Sequence, residues 1–148
     1  MGVISFNTEG VAMPAIDAAA VRKWIERVAS TYGRTVGEVN YIFCSDERIL
    51  EVNREFLHHD YYTDHIGFDY SGGTVLSGDL FLSLDTIRSN AEQLGEDYDR
   101  ELHRVIIHGI LHLCGLKDKT PEEEKEMRRA EDDALSLLPE NYSHFTQR

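Results

Sequence analysis

Apolar positions recur at helical spacing over residues 17–32, where Ala20, Val21, Trp24, Ile25 and Val28 join Ile16 on one stripe and Gly33 supplies a stop. This predicts an amphipathic first helix behind a short apolar start at residues 3–6. The period then changes. Residues 39–45, VNYIFCS, are short and β-rich. Ser45 or Asp46 can cap a following helix through Phe56 that buries Ile49, Leu50, Val52 and Phe56. HIGFDY at 65–70 and, beyond the Gly72-Gly73 turn, GDLFLSL at 78–84 read as two further strands. A helix over 85–94 ends at Gly95. Leu102, Val105, Ile106, Ile110 and Leu113 mark the core stripe of a helix over 97–114, with Gly115 as a left-handed stop. Thr120, Pro121 and Glu123 carry the signature of a capping box that opens a last helix to about Leu138. The expected fold is α/β (α+β), a mixed sheet of about four strands packed with about five helices.

Composition narrows what such a fold can do. At 148 residues the chain is expected to be one domain, 1–148, able to bury roughly two-thirds of the surface of its unfolded chain without staples. Cys44 and Cys114 are too few for a disulfide framework, and both lie in apolar runs that suit buried thiols in a reducing cytoplasm. The N-terminal MGVISFNTEG lacks the regions of a secretory signal, and no apolar run approaches membrane-spanning length, so no membrane association is expected. A net charge of −12 argues against sliding on nucleic acid through general phosphate neutralisation, so any RNA contact must be local.

The candidate chemistry lies in HGILHLCGLKD, residues 108–118. His108 and His112 are about 40° apart around a helix and one turn apart along it, so both imidazoles can reach one ion. Gly115 lets the chain turn back over the helix end, and Asp118 can supply a third ligand from the loop. The full pattern is H-x3-H-x5-D. Three protein ligands leave a coordination position open, as in catalytic rather than structural zinc sites. A zinc peptidase would carry its glutamate base at position 109, where this chain has Gly109. A divalent ion that polarises a phosphoryl oxygen and lowers the pKa of water needs no such glutamate, so the pattern favours a phosphodiester over a peptide.

This stretch resembles the signature H-G-x-L-H-L-x-G-Y-D-H of the YbeY-type metal-dependent endoribonucleases, the rRNA maturation factors. His108, Gly109, Leu111, His112, Leu113 and Gly115 stand in register, and the last histidine of the signature falls on Asp118. Asn53 followed by Thr63-Asp64 and Phe68 is similar to the family's N…P-T-D-V-L-S-F segment. Gly78-Asp79 is similar to its G-D-I strand, and Met127 with Glu131 fits its last helix. The resemblance covers roughly residues 40 to 135. It implies a single-strand-directed endoribonuclease that acts in small-subunit ribosomal RNA maturation and ribosome quality control. It also implies one Zn2+ or another divalent transition metal per chain, held by His108, His112 and Asp118 as the catalytic set.

The family's substrate-facing arginine aligns with Leu57, leaving Arg54, His58 and His59 as candidates for that cation. Arg54, Arg88, Arg104, Lys117 and Lys119 are the basic candidates for phosphate contact, and Tyr61, Tyr62 or Phe68 could stack on bases. Two other classes remain open: a zinc peptidase or amidase, which would show a glutamate in the pocket, and a non-catalytic ribosome-associated module with a structural metal.

Overall fold

The structure is a computed structural model that describes residues 2–57 and 63–138. Its elements run β1 (Val3–Glu9), α1 (Ala18–Thr31), β2 (Thr35–Cys44), α2 (Asp46–Leu57), β3 (His65–Asp69), β4 (Val75–Ser83), α3 (Leu84–Leu94), α4 (Tyr98–Leu113) and α5 (Pro121–Leu135). The strands form a mixed sheet of order β1-β2-β4-β3, in which β1, β2 and β4 are parallel and the short edge strand β3 is antiparallel to β4. Parallel neighbours need long crossovers, which α1 supplies between β1 and β2.

Helix ends follow local chemistry. The Asp17 side chain accepts from the Ala20 amide, Ser83 accepts from Thr86, and Gly95 closes α3 in the left-handed region at φ 66°. Both halves of the capping box form at α5.

Strand ends do not follow the local pattern. β2 and β4 both begin earlier than their apolar runs, because Thr35 pairs with Val75 and Val36 with Leu76 before the register shifts ahead of Val39. Gly37 permits that approach, since a Cβ there would stand 2.7 Å from Val75 Cγ1. α5 ends at Leu135, three residues short of expectation, and Leu137 and Leu138 pack against the core from the turn beyond.

The main core lies on one face of the sheet. Val39, Tyr41 and Phe43 of β2 and Leu76, Leu80 and Leu82 of β4 meet Trp24 and Ile25 of α1 and the apolar length of α4. α4 is buried well beyond the predicted stripe, with Ile107, Gly109 and Leu111 also enclosed, because it packs against α1, α3, α5, β3 and β4 at once. Tyr41 donates its hydroxyl to the Ile106 carbonyl at 2.7 Å, and Trp24 donates Nε1 to the Ala134 carbonyl at 2.7 Å. These bonds satisfy polar atoms that burial would otherwise strand.

The other face carries a small cluster of Cys44, Ile49, Val52 and Ile66 beneath α2. It is too small to cover the last turn of that helix. Phe56, expected in the core, is 55 % exposed and meets Phe68 edge-on, and Leu50 is half-buried.

Candidate metal centre

Three segments converge at one end of α4. His108 and His112 stand one turn apart on the helix, with ring centroids separated by 4.4 Å. Gly115 adopts φ 102°, a conformation open to glycine and costly for other residues, and the chain folds back so that the Leu116 amide donates to the Leu111 carbonyl. That reversal delivers Asp118. Its Oδ2 lies 3.3 Å from His108 Nε2 and 3.2 Å from His112 Nε2.

β3 contributes the third segment. His65, absent from the sequence expectations, places its ring centroid 4.5 Å from that of His108 and 5.8 Å from that of His112. One potential ligand atom from each of the three histidines lies within 4.8 Å of the other two.

Each imidazole is oriented through Nδ1. His108 Nδ1 donates to Glu131 Oε2 at 2.6 Å, His112 Nδ1 to the Leu116 carbonyl at 2.9 Å, and His65 Nδ1 to Asp64 Oδ1 at 2.7 Å. A carbonyl oxygen only accepts, so Nδ1 of His112 must carry its proton and Nε2 keeps a lone pair in the neutral ring. The carboxylates act in the same way on the other two rings, an arrangement typical of metal-ligating histidines. His108 Nε2 is buried and makes no hydrogen bond among the described residues. A divalent cation fits this set of imidazole nitrogens and a carboxylate, and it would satisfy that orphaned atom.

Charge is arranged around the centre. Burial disfavours the His108 imidazolium, but the hydrogen bond and charge of Glu131 outweigh it and lift the His108 pKa above its ordinary value. His112 moves the other way, because burial and then the neighbouring His108 disfavour its charged form. Burial would raise the Asp64 pKa, yet the His65 hydrogen bond and charge hold it below the usual carboxylate value.

Arg104 has a structural place rather than the substrate contact suggested by its position one turn before His108. Its side chain is 6 % exposed, with Nη1 donating to Glu131 Oε1 at 3.0 Å and Nη2 to Asp132 Oδ1 at 2.8 Å. Glu131 therefore bridges Arg104 and His108.

Beside the centre opens a cleft of about 550 Å³, lined by His65, Gly67 and Asp69 of β3, by Gly109 and His112 of α4, and by Asp118 and Lys119. Gly109 also sets the helix-to-sheet distance, since a Cβ there would stand 2.9 Å from Leu80 Cδ1. No glutamate lines this cleft among the described residues, but a second cavity that shares His65 and Asp118 with it is lined by His108, Glu101 and Glu131.

The remaining substrate candidates divide. Lys119 is at the cleft, whereas Lys117 and Arg54 are exposed and are not among its lining residues. Leu57, where the family arginine aligns, lines the cleft. Arg88 lies over the Tyr98 ring at 4.0 Å, and Phe68 is engaged by Phe56 and Phe81. His58, His59, Tyr61 and Tyr62 lie outside the described residues.

His65 was legible in part. Period-two alternation in HIGFDY sets His65, Gly67 and Asp69 on one face. Nothing local says which helix that face meets.

Comparison with known proteins bears on the same residues. The family model described as Endoribonuclease YbeY matches residues 4–139. The protein named Endoribonuclease YbeY from Phocaeicola vulgatus is 62 % identical over 136 residues, covering 92 % of this chain and 99 % of that one. Its namesake from Porphyromonas gingivalis is 57 % identical over 140 residues, covering 95 % and 93 %. The solution structure of a Thermotoga maritima protein aligns with TM-score 0.65 over 99 % of this chain and 96 % of that one, at 23 % identity, a likeness of fold.

Proposed function

The chain belongs to the YbeY endoribonuclease family, and from that premise we propose that residues 1–148 form a single metal-dependent endoribonuclease domain cleaving single-stranded RNA in small-subunit ribosomal RNA maturation and ribosome quality control. The observation that carries the assignment of its centre is the convergence of Asp118 Oδ2 on Nε2 of both His108 and His112. Those three residues are the proposed ligands and Zn2+ the proposed ion, since two imidazoles and one carboxylate form a known zinc hydrolase set. Such an ion supplies Lewis acidity, polarising a phosphoryl oxygen and lowering the pKa of water to roughly 7.

The chain's own groups do the rest. Glu131 and the Leu116 carbonyl fix the two α4 imidazoles, so the donor atoms are arranged before substrate arrives. Lys119, at the cleft beside Asp118, is the proposed phosphate contact. Lys117 and Arg54, exposed and outside that lining, and His59, which lies outside the described residues, are the further proposed substrate contacts. Gly109 at the position of a zinc peptidase's glutamate base, together with the commitment of both Glu131 oxygens to Arg104 and His108, favours this reading over a peptidase or amidase. No helix among the described residues is long and apolar enough to cross a membrane. A cytoplasmic location, with the small ribosomal subunit as partner, fits the substrate and the two free, buried cysteines.

The test is metal analysis of the purified protein with single-stranded RNA cleavage assayed in the presence and absence of chelator, repeated for Asp118→Ala and Asp118→His. The alanine variant is expected to bind Zn2+ far more weakly and to lose cleavage, and the histidine variant to retain both. Wild-type Zn2+ affinity in Asp118→Ala would remove Asp118 from the ligand set.

A further inference from the structure

We propose that His65 is a fourth protein donor to the ion, so that three imidazoles and one carboxylate hold it in this chain. The inference rests on the metal centre proposed above and deepens it.

Three independent features of His65 support a ligand rather than a bystander. Its ring approaches both α4 histidines, and its ligand atom falls within 4.8 Å of theirs. Its Nδ1 is committed to Asp64 Oδ1 at 2.7 Å, which leaves the Nε2 lone pair for a cation. Asp64 is itself held, because Asn90 Nδ2 donates to its second oxygen at 3.4 Å. The chain Asn90–Asp64–His65 reproduces on β3 the arrangement that Arg104–Glu131–His108 makes on α4. An imidazole meant for substrate alone would not need to share a centre with two others.

The pairing of β3 with β4 supplies rigidity. His65 stands opposite Leu82 in the antiparallel ladder, and the Ser83 amide donates to the Asp64 carbonyl just before it. The backbone on both sides of the ring is therefore fixed to the central sheet. Four protein donors equal the number that closes a structural zinc site, so this centre should retain its ion more firmly than three donors would. Substrate would then enter as a fifth ligand, an expansion that catalytic zinc sites allow.

The experiment compares full-length wild type, His65→Val and His112→Ala by Zn2+ competition against a chromophoric chelator and by the visible spectrum of the Co2+-loaded proteins. Valine suits a strand position, and metal-free melting checks the fold; should His65→Val not fold, His65→Gln takes its place with the same readouts. His65→Val is expected to weaken Zn2+ binding by roughly tenfold or more and to shift the Co2+ d–d bands, as replacement of a donor by solvent requires. His112→Ala should lose more. Affinity within about twofold of wild type and an unchanged Co2+ spectrum in His65→Val, with His112→Ala defective, would overturn the fourth donor and leave the three-ligand centre standing. Retention of metal by both variants would overturn the centre and this inference together. A loss of RNA cleavage in His65→Val without change in either metal readout would also overturn it, placing the ring on the substrate.

Discussion

Glu131→Gln is the most informative single change, because Glu131 joins the core to the metal centre. The two carboxylate oxygens are divided: Oε1 accepts from Arg104 Nη1 and Oε2 from His108 Nδ1, with only 7 % of the side chain exposed. Glutamine keeps the volume but offers one acceptor oxygen, so either Arg104 or His108 must face an NH2 group. A buried donor left without an acceptor costs about 1–3 kcal/mol. Removing the charge beside a buried guanidinium adds to this, although Asp132 still holds Nη2. The metal-free protein should therefore lose about 2–4 kcal/mol, less than the stability of a typical domain, and remain folded. Losing the group that orients His108 should weaken metal binding by about 10- to 100-fold. Urea unfolding of the metal-free proteins reads the first quantity, and competition with a chromophoric chelator reads the second. Zn2+ affinity equal to wild type in a variant that shows the stability loss would refute the claim that Glu131 positions a ligand. Unchanged stability would refute the bridging role.

Three further outcomes follow from buried groups elsewhere. His103 is buried and its pKa lies below the ordinary value, since burial outweighs the Asp99 carbonyl that accepts from Nδ1. The unfolded chain then takes up a proton that the folded one refuses. Stability is present above the unfolded pKa near 6.5 and falls by up to about 1.4 kcal/mol per pH unit below it, until the folded pKa is reached. Thermal melts at pH 7.5 and 5.5 should show a smaller acid loss in His103→Gln than in wild type, and equal losses would remove His103 as a cause. Burial, aided by Glu9, pushes the Cys44 thiol up to about 12, so roughly one molecule in ten thousand is thiolate at pH 8. Iodoacetamide should leave Cys44 unmodified in the native protein and label it in urea, as peptide mass spectrometry can tell, and rapid native labelling would contradict the burial. Tyr41→Phe should cost about 0.5–1.5 kcal/mol in urea unfolding, because it removes the hydroxyl's bond to the Ile106 carbonyl, an oxygen that keeps its place in the α4 ladder; a stability equal to wild type would show that this bond contributes nothing net.

The sequence by itself determined the helices, their caps and the α4 half of the candidate metal centre. These are local properties. Thr120, Pro121 and Glu123 close a capping box among residues three apart, and His108 and His112 share a face because 3.6 residues make a turn. The loop return to Asp118 was legible for a related reason, since Gly115 needs only its own φ to reverse the chain.

Tertiary structure decided what depends on partners distant in sequence. Pairing with β4 extended β2 back to Thr35, and a small second-face cluster left Phe56 at the surface, although its position along the helix predicts burial. Arg104 has the spacing of a substrate contact and became an internal counter-ion, because α5 packs its Glu131 and Asp132 against α4. His65 lies 43 positions before His108, a separation read off the numbering, and reaches the same centre only through β3 pairing with β4 beneath α4. Periodicity states which face of an element is buried or polar. Which other element meets that face is set by chain topology and packing, and here that choice brought in the third imidazole and the carboxylates that orient the histidine rings.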